Sequence, residues 1–206
     1  MTKVKICGIT NLKDAIDSIN YGADALGFVF FSGSPRYISP KNADAIIQQL
    51  PPFTKTVGLF VNHSQEEVKL ILRQSGIDII QFHGDEDPEF CEAIDHKYIR
   101  AVRVKDKADI LMASRRYSSA SALLLDSYNK TTYGGTGETF LWDMIPSAKD
   151  CSKPLIIAGG LNPSNVKKLV IDYKPYAVDV SSGVEKEKGL KDGKLLQQFC
   201  MQAKSF

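Results

Sequence analysis

The sequence predicts an α/β protein, a single-domain (β/α)8 TIM barrel covering residues 1–206, and three observations support this fold class. Short runs rich in β-branched and aromatic residues alternate with stretches of helical spacing, as in repeated βα units. Eight such runs fit into 206 residues, near the short end of the range for a complete barrel. No linker rich in proline or glycine divides the chain, so one domain is expected.

The eight runs predict parallel strands, because each is followed by a helical stretch that can return the chain to the same end of the sheet. A doubly wound open sheet also alternates strands and helices, but it seldom contains eight consecutive parallel strands in so short a chain. The closed barrel is therefore preferred. The predicted strands are Val4 to Gly8, Ala25 to Phe30, Thr56 to Val61, Ile79 to His83, Ile99 to Val104, Ala122 to Asp126, Leu155 to Ala158 and Ala177 to Val180.

Helix start signals stand between these strands. Thr10 and Ser39 are predicted N-caps, and Pro40 fits a first-turn position. Asn162 followed by Pro163 repeats that arrangement. The predicted helices are Leu12 to Tyr21, Pro40 to Leu50, Gln65 to Gln74, Pro88 to Ile94, Ala108 to Tyr117, a short one near Leu141 to Ala148, Pro163 to Ile171, and Leu195 to Ala203.

Composition excludes several classes of protein. The net charge of +2 is too small to indicate nucleic-acid or membrane binding, and no obligate protein partner is inferred. The four cysteines are scattered without the spacing of zinc ligands, which predicts reduced thiols and no metal site. The start MTKVKICGIT lacks the long apolar segment of a signal peptide, and no stretch of 18 apolar residues occurs, so a cytoplasmic location is expected. A monomer is the default expectation.

Catalytic groups in such barrels lie where a strand passes into its following loop. Polar side chains at these positions are therefore the candidates for chemistry. They are Cys7, Arg36, Asn62, Gln81, His83, Arg103, Asp126 and Asp179.

Two glycine-rich loops follow the seventh and eighth strands. The first contains Gly159 and Gly160, and the second contains Ser181, Ser182 and Gly183. Glycine lets the backbone approach a phosphate closely, and this pair of loops is the usual phosphate site of such barrels. Either loop alone could be a simple tight turn, but together they favour a phosphate site.

A third glycine cluster follows the sixth strand and contains Gly134, Gly135, Thr136 and Gly137. Its place on the predicted catalytic face makes it a possible lid over a bound ligand. A flexible linker is the alternative interpretation.

Motifs along nearly the whole chain together resemble the phosphoribosylanthranilate isomerase family of tryptophan biosynthesis. They fall in family order as a combination that is more specific than any single piece. The motifs are KICGIT at 5–10, GADALGFVF at 22–30, SPRYI at 34–38, QFHG at 81–84, LD at 125–126, GGTG at 134–137, AGGL at 158–161 and DVSSGVE at 179–185.

The resemblance implies an Amadori rearrangement without a metal or cofactor: the ribose ring of N-(5-phosphoribosyl)anthranilate opens and its aminoaldose becomes an aminoketose. Asp126 would be the general acid that protonates the ring oxygen, and Cys7 the general base that removes the proton from C2. A free thiol has a pKa of roughly 8.5, so the base must be activated by its surroundings or by the substrate.

Other substrate contacts are implied more broadly. Arg36 resembles the family residue that pairs with the anthranilate carboxylate, a task suited to the planar guanidinium. Gln81, His83 and Asp179 are expected to line the pocket, either touching sugar hydroxyls or orienting the catalytic pair.

Two related enzymes and one non-enzymatic function are the alternatives. The sugar isomerase of histidine biosynthesis uses two aspartates, and the cysteine at position 7 argues against it. Indole-glycerol-phosphate synthase relies on a catalytic lysine and a longer N-terminal extension. A catalytically inactive barrel that binds only a phosphorylated ligand is the alternative from another class, and the presence of both Cys7 and Asp126 argues against it.

Overall fold

The computed structural model describes residues 1–127, 142–147 and 150–205, and its eight main strands form a closed parallel barrel. The strands pair in chain order, and the last pairs with the first. Closure excludes the open sheet, and every strand lies within one residue of its predicted bounds. The strands are β1 Lys3–Cys7, β2 Ala25–Val29, β3 Lys55–Phe60, β4 Ile79–Phe82, β5 Tyr98–Val104, β6 Ala122–Ser127, β7 Leu155–Ile157 and β8 Ala177–Val180.

Helices follow most of the strands and cover the outside of the barrel. In the described part of the chain none is long and apolar enough to cross a membrane. The predicted helix near Leu141 to Ala148 is represented by a single 3-10 turn at Trp142–Met144, and the predicted lid at 134–137 lies outside the described residues. The α-helices are α1 Leu12–Asn20, α2 Pro40–Ile47, α3 Gln65–Ser75, α4 Pro88–Ala93, α5 Lys107–Arg116, α6 Val166–Tyr173 and α7 Gly193–Lys204.

The helix caps correct the sequence prediction at two places. Ser39 caps α2 as predicted, with its side chain accepting a backbone N–H of the first turn. Asn11, and not Thr10, caps α1, because the Thr10 hydroxyl donates instead to a backbone carbonyl in the segment after β8. Asn162 holds a separate turn, so α6 begins only at Val166.

A small hairpin follows β8 and was not predicted. A 3-10 turn at Ser182–Val184 leads into β9 Glu185–Glu187, which pairs antiparallel with β10 Leu190–Lys191. No apolar alternation marks these short strands, since most of their residues are charged. The hairpin carries two charged side chains back towards the end of β1.

Two buried clusters separate the faces of the strands. The outer cluster joins the strands to the helices and includes the fully buried Phe28, Phe60 and Phe82. The inner cluster fills the barrel with smaller residues from alternate positions. Its buried members are Val57, Ile99, Ala101, Ala122, Leu124, Ile156, Ala158 and Ala177.

Removing one outer phenylalanine should show how much this packing contributes to stability. Phe82→Ala deletes a side chain that is fully buried, so we expect the free energy of unfolding to fall by about 3–5 kcal/mol. Phe53→Ala is the matched control, because Phe53 is 96% exposed and its loss should change stability by less than about 0.5 kcal/mol. Urea unfolding of both variants measures the difference, and equal values would contradict this account of the core.

Candidate active site

Five of the predicted site residues face the inside of the barrel near the carboxyl ends of their strands. Val4 and Ile6 of β1 belong to the outer cluster, as do Leu123 and Leu125 of β6. Because side chains alternate along a strand, the residues between and after them point inward. The inward residues of the predicted site, all buried, are Cys7, Gln81, His83, Asp126 and Asp179.

Asp126 has a histidine beside it. One carboxylate oxygen accepts the Ser127 backbone N–H at 2.8 Å, and the other lies 3.4 Å from His83 Nε2. Gln81 Nε2 lies 2.9 Å from His83 Nδ1, and an amide nitrogen can only donate. The ring proton of His83 is therefore placed on Nε2, facing Asp126. We call this trio of Gln81, His83 and Asp126 the acid side of the site.

Cys7 has a lysine beside it. Lys5 occupies the preceding inward position of β1 and donates to Asp179 at 2.8 Å, with both side chains buried. Burial raises the pKa of the Cys7 thiol above its usual range, and Asp179 adds to this effect, whereas Lys5 and Lys191 lower it. We call Lys5, Cys7 and Asp179 the base side of the site.

Arg36 is held by the hairpin after β8. Its Nε and Nη2 donate to the two oxygens of Glu185 at 2.8 and 2.7 Å, so one edge of the guanidinium is fixed in a bidentate pair. Lys191 Nζ donates to the same carboxylate at 2.9 Å, and also to the carbonyl oxygens of Cys7 and Ser181 at 2.6 and 3.2 Å. Although burial raises the pKa of Glu185, Arg36 and Lys191 hold it below its usual range. Within the described residues, Nη1 of Arg36 donates no hydrogen bond and is therefore available to a ligand.

The two predicted phosphate loops lie against each other. Gly159 and Gly160 both have positive φ, 76° and 64°, and a side chain on Gly183 would overlap the carbonyl oxygen of Leu161. The hydroxyl of Ser181 is buried and has no partner among the described residues. A cavity of about 50 Å³ lies at this point. Its lining is Asp126, Ala158, Gly159, Gly160, Leu161, Asp179, Val180, Ser181 and Ser182.

Asn62 and Arg103 contact the loop after β4 and do not join the buried site residues. The Asn62 side chain accepts the backbone N–H of Asp85, and Arg103 forms an ion pair with the Asp85 carboxylate. No group of three His, Cys, Asp or Glu side chains that could hold a metal occurs within residues 1–127, 142–147 and 150–205.

Comparisons with known proteins identify the family to which the barrel belongs. The family described as N-(5′-phosphoribosyl)anthranilate (PRA) isomerase matches residues 4–202. The chain belongs to this PRA isomerase family. A protein of Geobacter sulfurreducens named N-(5′-phosphoribosyl)anthranilate isomerase is 49% identical over 206 residues, covering all of both chains.

Solved structures of PRA isomerases have the same fold. The crystal structure of phosphoribosylanthranilate isomerase from Thermotoga maritima is 41% identical, covers all of both chains and superposes with a TM-score of 0.92. A second structure, 39% identical with a TM-score of 0.83 and full coverage of both chains, is of the isomerase in complex with reduced 1-(o-carboxyphenylamino)-1-deoxyribulose 5-phosphate.

Three charged residues of the site were missed by sequence reasoning. The inward position of Lys5 follows from alternation along β1, so its place could have been inferred from Cys7. Glu185 ends a motif that was recognised without a role. No sequence pattern predicted the place of Lys191, because the hairpin after β8 brings its side chain to β1.

Gly27 provides the space in which the base side is built. A methyl group there would lie 2.8 Å from Cys7 Sγ and 3.1 Å from Lys5 Nζ. Gly27→Ala should therefore displace both groups and lower kcat/KM by at least about tenfold, a loss of about 1.4 kcal/mol in transition-state stabilisation. Gly193→Ala is the matched control, because its nearest neighbour would be 3.8 Å away. Steady-state kinetics on both folded variants checks this, and wild-type kinetics for Gly27→Ala would contradict it.

Proposed function

We propose that this chain isomerises N-(5′-phosphoribosyl)anthranilate, with Asp126 as general acid and Cys7 as general base. The observation that carries the proposal is that both side chains are buried and face the inside of the barrel at the ends of β6 and β1, where Asp126 and Asp179 line the cavity beside the two phosphate loops. Family membership supplies the substrate, and the bound product analogue of the solved relative supports binding of a small phosphorylated molecule.

The acid step fits the groups around Asp126. Ring opening needs a proton on the furanose oxygen, and the donor becomes a carboxylate as the ring opens. His83 Nε2 lies 3.4 Å from Oδ2 of the Asp126 carboxyl group on which that charge develops. Gln81 fixes the ring through Nδ1. We therefore assign His83 and Gln81 to orienting Asp126, one of the two roles expected from the sequence.

The base step fits the opposite side. Once the ring is open, the proton on C2 is acidified by the adjacent iminium group, and a thiolate can remove it. Cys7 is buried and lies against Lys5, which keeps water from competing for the thiolate. Two strands, β7 and β8, lie between the strands that carry the two groups, so acid and base can act on adjacent parts of one sugar.

The remaining groups would hold the ends of the substrate. The two glycine loops, with the unpartnered hydroxyl of Ser181, would bind the phosphate. Nη1 of Arg36 would bind the carboxylate of the anthranilate ring while Glu185 keeps the guanidinium in place. Gly134, Gly135, Thr136 and Gly137 remain a proposed lid.

The catalytic assignment is tested by removing each group. We expect Cys7→Ala and Asp126→Asn each to lower kcat by about 100- to 10,000-fold, the usual contribution of a positioned acid or base. Consumption of the fluorescent substrate under metal-free conditions measures this.

Cys91→Ala is the matched control for the thiol. Burial raises the pKa of Cys91 to about 12, so it holds no thiolate near neutral pH, and its variant should keep wild-type kcat per folded enzyme. Normal turnover by Cys7→Ala would reject the base assignment. If the wild type binds the substrate without turnover, the protein is the inactive phosphate-binding barrel instead.

The proposed carboxylate contact is tested at Arg36. Arg36→Ala removes a charge-assisted hydrogen bond to the substrate, so KM should rise by about 10- to 100-fold, from about 1.5–3 kcal/mol of lost binding. Arg115→Ala, an exposed arginine of α5, is the matched control and should leave KM unchanged. Unaltered KM in Arg36→Ala would remove this residue from the substrate site.

Three further expectations from the sequence stay predictions. They are a cytoplasmic location, a single barrel domain over residues 1–206, and a list of partners limited to the small-molecule substrate. The near-neutral charge supports the absence of nucleic-acid and membrane partners.

A further inference from the structure

Lys5 is a buried ammonium with an unusual position. It lies on β1 two residues before Cys7, on the same inward face, and is 3% exposed. Lysine is almost never fully buried unless it is paired, because an unpaired buried charge is strongly unfavourable. The carboxylate of Asp179, across the seam on β8, supplies the partner at 2.8 Å. Neither the phosphate loops nor the carboxylate contact uses this lysine.

The ammonium and the thiol meet at one point in the barrel. Cys7 Sγ and Lys5 Nζ lie within 2.8 and 3.1 Å of the position that a methyl group on Gly27 would take. The two atoms are therefore less than about 6 Å apart, a range in which an opposite charge stabilises an ionised group. The missing side chain of Gly27 is what allows this approach.

Lys5 is better placed than Lys191, the second buried lysine, to donate a hydrogen bond to the sulfur of Cys7. Lys191 directs its three N–H groups at three oxygens, those of Glu185, the Cys7 carbonyl and the Ser181 carbonyl. Lys5 donates to one oxygen within the described residues, that of Asp179, which leaves N–H groups for the thiol. An ammonium has three donors, so Lys191 has none left for sulfur.

The charges around the thiol come from four elements. Lys5 faces it from β1, Asp179 from β8, Lys191 from β10 and Arg36 from the loop after β2, with Glu185 pairing the last two. Burial by itself would lower the pKa of Lys5, but Asp179 and Cys7 more than offset it, so that the ammonium stays charged. A positive charge therefore lies beside the thiol.

We propose that Lys5 is a positioning residue that holds its ammonium against the sulfur of Cys7 and stabilises the thiolate used in proton abstraction. This inference rests on the proposed role of Cys7 as the base. Asp179 keeps the ammonium in place and charged. Lys5 itself touches no substrate in this proposal and acts only through the thiol.

The test is the titration of Cys7 without substrate. Alkylation by iodoacetamide is followed across pH by mass spectrometry of the peptide that contains Cys7. The pH at which the rate is half-maximal reports the pKa of the Cys7 thiol. In Lys5→Met we expect this midpoint to move upward by about 1 pH unit or more, so that alkylation near pH 7.5 falls about tenfold. The acid limb of the kcat/KM profile should move upward with it, because less thiolate is present at a given pH.

Matched variants separate charge from structure. Lys3→Met removes the same charge from the same strand at an exposed position and should leave the midpoint unchanged. Lys5→Arg keeps a permanent positive charge, so its midpoint should lie close to that of the wild type. If Lys5→Met alone does not fold, Lys5→Met with Asp179→Asn removes both buried charges, and its midpoint should still lie above that of Asp179→Asn.

Two results would overturn the inference: an unchanged midpoint in Lys5→Met, or an equal shift in Lys3→Met. Either result leaves the proposed function standing if Cys7→Ala has lost turnover. Normal turnover by Cys7→Ala would instead reject the proposed base, and the alkylation midpoints would still report whether Lys5 stabilises the thiolate.

Discussion

The Lys5–Asp179 ion pair lies on the seam where β1 meets β8 and closes the barrel. The two residues are register partners across that seam, so closure of the barrel brings the ion pair together. The same register sets Cys7 opposite Gly27 on the other side of β1. The segment after β8 is thereby brought against the end of β1, where base, phosphate loop and hairpin meet. A shift of one residue would turn Lys5 towards the helices and leave Asp179 unpaired.

Buried charge is the second constraint on this end of the barrel. Replacing a buried pair by apolar residues is often neutral or stabilising, whereas removing one partner is strongly destabilising. Here the pairs are linked through shared groups: Lys191 joins Glu185 to the carbonyl of Cys7, and Glu185 joins Lys191 to Arg36. This network fixes the geometry of the site at the expense of stability that apolar packing could have provided.

The proposed acid and the proposed base lie in contrasting surroundings. On the acid side, Asp126 lies beside a histidine N–H that suits the carboxylate left after proton donation. On the base side, Cys7 lies beside an ammonium that suits the thiolate needed before proton abstraction. Placing titratable groups in contrasting surroundings is a general way to assign acid and base roles. The pair that the family resemblance implies therefore lies in surroundings that suit the proposed roles.

The sequence by itself determined the eight strands, because buried parallel strands are continuous apolar runs. It also indicated eight polar candidates near the strand ends, and the structure turns five of them inward. Helix starts were less certain: Asn11 replaced Thr10 as a cap because the Thr10 hydroxyl found a tertiary partner after β8. Only the tertiary structure decided that Glu185 and Lys191 support Arg36 and Cys7, because these contacts join residues up to 184 positions apart. Such pairings depend on the closure of the barrel, and no local pattern in the sequence records them.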